Sequence, residues 1–182
     1  MEQGRCPLSS LEATIKSTLR DVPDFPKPGI LFKDITPILA HAELMSQITS
    51  EFARICRSKK VDAIVGMESR GFLFGIPVAM ALGVPFVPAR KPGKLPYHRV
   101  SESYALEYGT ATLELHTDAL AKGQSAFVID DLIATGGTAL ATAKLVERLG
   151  ATVVGFGFVI ELGFLDGRKV LDGYDVSAIV AY

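Results

Sequence analysis

Cysteine is scarce in this chain: 182 residues carry two, Cys6 and Cys56. They form no C-x-x-C pair, so neither a disulfide framework nor a zinc site is expected. The three histidines, His41, His98 and His116, show no metal-ligand spacing. Charge of one sign is missing too. A net charge of −1 supplies no basic field for nucleic acid or a membrane surface. No apolar run approaches the length of a membrane span. The start, Met1-Glu2-Gln3-Gly4, lacks the charged-then-apolar pattern of a secretory signal. Repeats and low-complexity segments are absent. These gaps lead to the expectation of a soluble cytoplasmic protein with neither a nucleic-acid nor a membrane partner. What remains is an ordinary globular balance, 48% hydrophobic and 21% charged, long enough for one domain with a substantial core.

The chain is organised around Ser125 to Gly150. Ala126-Phe127-Val128-Ile129 reads as a short buried parallel strand. Two acids, Asp130 and Asp131, end that run. Ala134-Thr135-Gly136-Gly137-Thr138 follows, then a helical pattern in Leu140, Lys144, Leu145 and Leu149, with Gly150 as its stop. Glycines let a backbone bring its N–H groups close to an anion, and a helix start adds free N–H groups and a positive dipole end. Thr135 and Thr138 add hydroxyl donors. The turn is therefore a candidate phosphate cradle. Carboxylates repel a phosphate, so the two acids suit sugar hydroxyls or a metal ion. A P-loop is excluded because no Lys follows Gly137. Gly155-Phe156-Gly157 lacks the third glycine of a dinucleotide fingerprint. A purely structural crossover remains the bland alternative.

Earlier in the chain, residues 8–20 carry a short helix pattern with Leu11, Ile15 and Leu19 on one face. Three prolines and a glycine between Asp21 and Gly29 break it. That stretch is either a linker or, given Phe25, Ile30, Leu31 and Phe32, an ordered segment laid over a site. Residues 41–58 read as an amphipathic helix with Leu44, Ile48, Phe52 and Ile55 in one stripe. Asp62 to Gly66 is a buried strand. Met67-Glu68-Ser69-Arg70-Gly71 is a polar turn, followed by an apolar helix to about Leu82. Arg70 by itself reads as a surface arginine. Pro85 to Ala89 is a third strand, running into Arg90-Lys91-Pro92-Gly93-Lys94-Leu95-Pro96. That loop is solvated, or it is a ligand loop at the carboxyl end of a parallel strand. Residues 103–108 with Ala111, Leu113 and Leu115 suggest a hairpin, in which Glu107 and Tyr108 could be ordinary strand residues. Strands over 152–160 and 176–180 flank a short helix or loop over 163–171. The alternation implies an α/β fold with a mainly parallel sheet.

Val128-Ile129-Asp130-Asp131-Leu132-Ile133-Ala134-Thr135-Gly136-Gly137-Thr138 resembles the phosphoribosyl-pyrophosphate (PRPP) motif of type I phosphoribosyltransferases. Its Ala-Thr-Gly-Gly-Thr form is similar to the adenine phosphoribosyltransferase branch. Three further stretches fit that branch in order: Pro23 to Pro37, Glu68-Ser69-Arg70-Gly71-Phe72 and Ser103 to Gly109. The basic loop fits as well, except that Tyr97-His98-Arg99 stands where Gly is usual. The resemblance runs from about Pro23 to the C-terminus.

The resemblance implies a single domain over 1–182: a central sheet flanked by helices, an N-terminal helix and hood over about 1–37, and a mobile β-hairpin flap over about 92–109. It implies transfer of a phosphoribosyl group from PRPP to adenine with Mg2+, giving AMP and pyrophosphate, by a homodimer. Asp130 and Asp131 would hold ribose hydroxyls, and Ala134, Thr135, Gly136, Gly137 and Thr138 the 5-phosphate. Ser69, Arg70, Arg90, Lys91 and Lys94 would take the pyrophosphate. Leu31, Phe32 and Lys33 would take adenine, and Glu107 and Tyr108 would serve catalysis. No side chain is expected to bind the metal directly; Mg2+ would be held mainly through PRPP and water. Two rivals stay open at this stage: a non-catalytic PRPP sensor, and an enzyme of the same fold using another base.

Overall fold

The computed structural model describes residues 8–105 and 109–182. The chain divides into two compact units, residues 1–48 and 49–182.

In the first unit, α1 (Leu8–Thr18) buries Leu11 and Ile15, the face expected from spacing. The proline-rich break is neither linker nor coil. Strand β1 (Arg20–Pro23) pairs antiparallel with β2 (Leu31–Asp34), Asp21 facing Lys33 and Val22 facing Phe32. Asp24, at φ 57, turns the chain and its carboxylate accepts the Gly29 N–H at 2.7 Å. Phe25 and Phe32 meet edge to face with centroids 5.1 Å apart. A short helix, α2 (Thr36–Leu39), follows, and α3 (Ala42–Arg57) continues into the second unit.

The second unit is built on a five-stranded parallel sheet. Its strands are β3 (Ala63–Met67), β4 (Phe86–Ala89), β7 (Ser125–Ile133), β8 (Thr152–Glu161) and β9 (Val176–Ala181). The order is β4-β3-β7-β8-β9, with every pair parallel. The connection from β3 goes outward to β4, whereas the strands after β7 go the other way. The order therefore reverses between β3 and β7, and open α/β sheets bind ligands at the carboxyl ends of such a pair.

Helix α4 (Arg70–Leu82) follows β3, and α5 (Gly137–Arg148) follows β7. Strand alternation sends Val65, Met67 and Val128 into one cluster with Ala139, Ala143 and Val146 of α5. Ile64 and Gly66 face the other way, towards Gly75 of α4 and Phe86. The two helices thus cover opposite faces. Gly71 lets α4 start against β7: a Cβ there would lie 2.6 Å from the Ile129 carbonyl oxygen.

Two expectations change. The strand does not stop before the acids; β7 runs through Asp130 and Asp131 to Ile133, because β8 pairs with it that far, Ile133 facing Glu161. The buried face of α5 is also not the leucine row. It comprises Ala139, Ala141, Thr142, Ala143, Leu145 and Val146, with Lys144 exposed. Small residues let the helix sit close to the sheet, a signal that leucine spacing hides. The hairpin is β5 (Arg99–Ala105) against β6 (Thr110–His116), in register from Arg99 and His116 to Ala105 and Thr110. It begins four residues before the expected start. A 3-10 turn (Gly163–Leu165) and α6 (Gly167–Val170) join β8 to β9. Among the described residues no helix is long and apolar enough to cross a membrane.

Candidate active site

A cavity of about 370 Å³ opens at the carboxyl ends of β3 and β7. Glu68, Arg70 and Lys91 wall one side; Asp130 and the turn from Ala134 to Gly136 wall another, with Thr138 and Tyr104. The fold places it where the strand order reverses.

The turn after β7 offers main chain. Gly136 caps α5 with φ 79, a conformation in which a side chain is strained. No side chain caps this helix start, so its first N–H groups have no intrahelical acceptor and face a ligand with the positive dipole end. The turn is pressed from behind by α6. A Cβ on Gly136 would meet the Gly167 carbonyl oxygen at 2.4 Å, and one on Gly167 would meet that of Ala134 at 2.1 Å. Thr138 adds a hydroxyl, which donates to the Tyr104 hydroxyl at 3.0 Å.

The turn after β3 offers side chains. Arg70 opens α4, and its Nε lies 3.1 Å from Asp131 Oδ2. Glu68 accepts the Lys91 N–H at 2.8 Å and faces the Arg90 guanidinium at 3.3 and 3.4 Å. Burial alone would raise the Glu68 carboxyl; the Lys91 N–H and the Arg90 charge outweigh it and hold the group below its ordinary value. Arg90 also donates to the Lys94 carbonyl at 3.3 Å and lies 6.0 Å from the Phe72 ring centroid.

Strand alternation separates the two acids. Asp130 lines the cavity beside Ala139 and Phe158. Asp131 points to the α4 side and is 1% exposed. Its Oδ2 has no hydrogen bond among the described residues and answers to the Arg70 charge instead. Burial pushes the Asp130 carboxyl well above the usual carboxylate range, and the neighbouring Asp131 charge adds to the rise. Burial raises Asp131 as well, with the Arg70 guanidinium opposing it.

Residues 34–178 match the family described as phosphoribosyl transferase domain. The adenine phosphoribosyltransferase of Desulfitobacterium hafniense is 55% identical over 90% of this chain and 95% of its own length. The chain belongs to the adenine phosphoribosyltransferase family. The crystal structure of the Thermoanaerobacter pseudethanolicus adenine phosphoribosyltransferase superposes with a TM-score of 0.91 at 52% identity, covering 93% of this chain and 99% of that one. That of the Saccharomyces cerevisiae enzyme, complexed with an imino-altritol bisphosphate and adenine, gives 0.89 at 42% identity, covering 94% and 99%.

Within this adenine phosphoribosyltransferase fold, Arg70, Lys91, Asp130, Ala134, Thr135, Gly136 and Thr138 share one cavity. Gly137 begins α5 directly behind it. Ser69 is the residue before α4 and makes no side-chain capping bond. Arg90 is turned to Glu68, and Lys94 is exposed outside the cavity lining. Leu31, Phe32 and Lys33 lie on β2 in the first unit, where the Lys33 ammonium donates to Asp21 at 2.7 Å. Glu107 and Tyr108 lie outside the described residues. Sequence reading passed over Glu68, Tyr104 and Ala139. Glu68 stood beside Ser69 and Arg70, and Tyr104 within the Ser103 to Gly109 stretch; Ala139 carried no signal. Among the described residues no group of three or more His, Cys, Asp or Glu is arranged to hold a metal ion.

Proposed function

We propose that this chain transfers the 5-phosphoribosyl group of PRPP to adenine, releasing pyrophosphate and forming AMP in purine salvage. The observation that carries the reading is the cavity between β3 and β7, which sets a main-chain anion cradle beside a carboxylate and two cations. The first N–H groups of α5 and the Thr138 hydroxyl bind the 5-phosphate. Asp130 accepts from the ribose hydroxyls. Arg70 and Lys91 draw negative charge off the leaving pyrophosphate. Cleavage at C1 leaves a cation-like ribose, as in glycoside chemistry, and Asp130 lies on its side of the cavity. The β5–β6 hairpin supports a flap that excludes water from that cation. Glu107 is the group assigned to proton movement on the purine.

Mg2+ belongs to this reading. Asp130 is an isolated carboxylate on the cavity wall, which suits an ion taking most of its oxygens from PRPP and water. When bound, such an ion neutralises phosphate charge. Adenine recognition falls to β2. A two-stranded sheet leaves one edge of β2 unpaired, and an extended residue there presents both a C=O and an N–H. That pair fits the N6 donor and N1 acceptor of adenine and mismatches hypoxanthine. A cytoplasmic homodimer completes the reading; exposed Leu73, Ile76 and Met80 along α4 support a self-contact.

The test is conversion of labelled bases by purified protein with PRPP and Mg2+. Adenine is expected to give AMP, with hypoxanthine, guanine, xanthine and orotate left unused. PRPP binding without consumption of any base would make the chain a sensor instead.

A further inference from the structure

Glu114 is one of three buried polar or charged residues among those described, at 5% exposure. It lies on the face of β6 opposite Leu113 and Leu115, both of which are in the core cluster. Ordinary alternation would leave it in water. Instead both of its carboxylate oxygens are engaged. Oε1 accepts from Arg99 Nε at 3.0 Å and from the Ser101 hydroxyl at 3.3 Å, both on β5. Oε2 accepts the Gly93 N–H at 3.3 Å. Its main chain exchanges two further bonds with Arg90: the Arg90 N–H donates to the Glu114 carbonyl at 3.0 Å, and the Glu114 N–H to the Arg90 carbonyl at 2.7 Å.

A single residue therefore ties loop 90–94 to the hairpin. That loop carries Lys91 into the cavity. Glu68 holds the loop from the β3 side through Arg90 and the Lys91 N–H, and Leu95, 6% exposed, anchors its far end. Prolines and a glycine over 92–96 give the segment little structure of its own. Its shape is imposed by the two carboxylates beneath it.

The geometry points to Glu114 as a positioning residue for PRPP. It fixes the backbone of loop 90–94, and through it the place of the Lys91 ammonium against the pyrophosphate, without touching substrate. This rests on the function proposed above. The isosteric Glu114→Gln removes the charge and sets an amide donor against the Gly93 N–H or the Arg99 side chain. Lost charge-assisted bonds should raise the KM for PRPP about tenfold, with kcat within about threefold and the KM for adenine within about twofold. Arg99 is half exposed, so Arg99→Ala with Ser101→Ala should fold, and it should raise the KM for PRPP about threefold.

Steady-state kinetics with both substrates, alongside thermal melting, is the test. Wild-type turnover of adenine checks the underlying function separately. A rise confined to the PRPP KM in either variant supports the role. If Glu114→Gln does not fold, the Arg99/Ser101 double variant decides alone. A PRPP KM within twofold of wild type in each folded variant overturns the role. So does an equal rise for both substrates, which would make Glu114 only a structural brace.

Discussion

Two strand–turn–helix units meet at the point where the strand order reverses, and their turns offer a ligand different things. After β7, the turn presents backbone: Gly136 at φ 79, an uncapped helix start, and α6 packed so closely that no Cβ fits on Gly136 or Gly167. After β3, the turn presents side chains: Glu68 engaged by Arg90 and Lys91, and Arg70 held near Asp131. A backbone cradle has fixed donors and suits a terminal phosphate that stays put. Ion-paired side chains can exchange partners and suit a group that must arrive and leave. The same supersecondary device thus serves both ends of one substrate.

The largest expected effect falls on neither turn. Glu107→Gln should lower the single-turnover rate about 100- to 10,000-fold while PRPP binding persists. Unchanged turnover would return the acid–base role to the two turns.

Next comes the carboxylate that stands between them. Asp130→Asn should weaken PRPP about 10- to 100-fold, as charge-assisted bonds to the ribose are lost. It should also stabilise the free protein. A carboxyl raised by burial favours its protonated form in the fold, so ionisation above that raised pKa costs stability and Asn avoids the cost. The melting temperature should rise by about 2–4 °C at neutral pH for each kcal/mol recovered. The gain should vanish below the unfolded carboxyl pKa of about 3.9, where both forms are neutral. Weaker PRPP binding without a gain in melting temperature would mean that Asp130 is well solvated.

The smallest effect is expected at the base. Lys33→Ala should leave the ratio of kcat/KM for adenine over hypoxanthine unchanged, because the ammonium is bonded to Asp21 and main chain reads the base. A ratio falling towards one would assign the reading to the side chain.

The two turns also differ in how far they could be read from residues. The β7 turn was legible because a main-chain cradle leaves its mark in residue types: Gly136 and Gly137 with flanking threonines. The β3 turn was not, because one arginine after a strand looks the same whether it faces solvent or substrate. Only resemblance favoured Arg70. The separation of Asp130 from Asp131 follows from strand alternation, yet it was hidden by the assumption that the acids end the strand; pairing with β8 extends β7 to Ile133. Glu114 was invisible for a related reason. A polar residue between Leu113 and Leu115 is the ordinary pattern of a half-exposed strand, and the loop that covers it comes from twenty residues earlier. The hood misled through its prolines: Pro23 ends β1 where a ladder tolerates it, so a stretch that reads as a break is half of a hairpin.

The division between the turns is tested most directly by splitting the substrate. Calorimetry with ribose 5-phosphate, which carries only the terminal phosphate, and with pyrophosphate plus Mg2+ should be run on wild type, Gly136→Ala and Arg70→Ala. Gly136→Ala should weaken ribose 5-phosphate about tenfold or more and leave pyrophosphate nearly unchanged, while Arg70→Ala should do the reverse. If both folded variants weaken both ligands equally, or the pattern is crossed, the two turns do not divide the substrate as described.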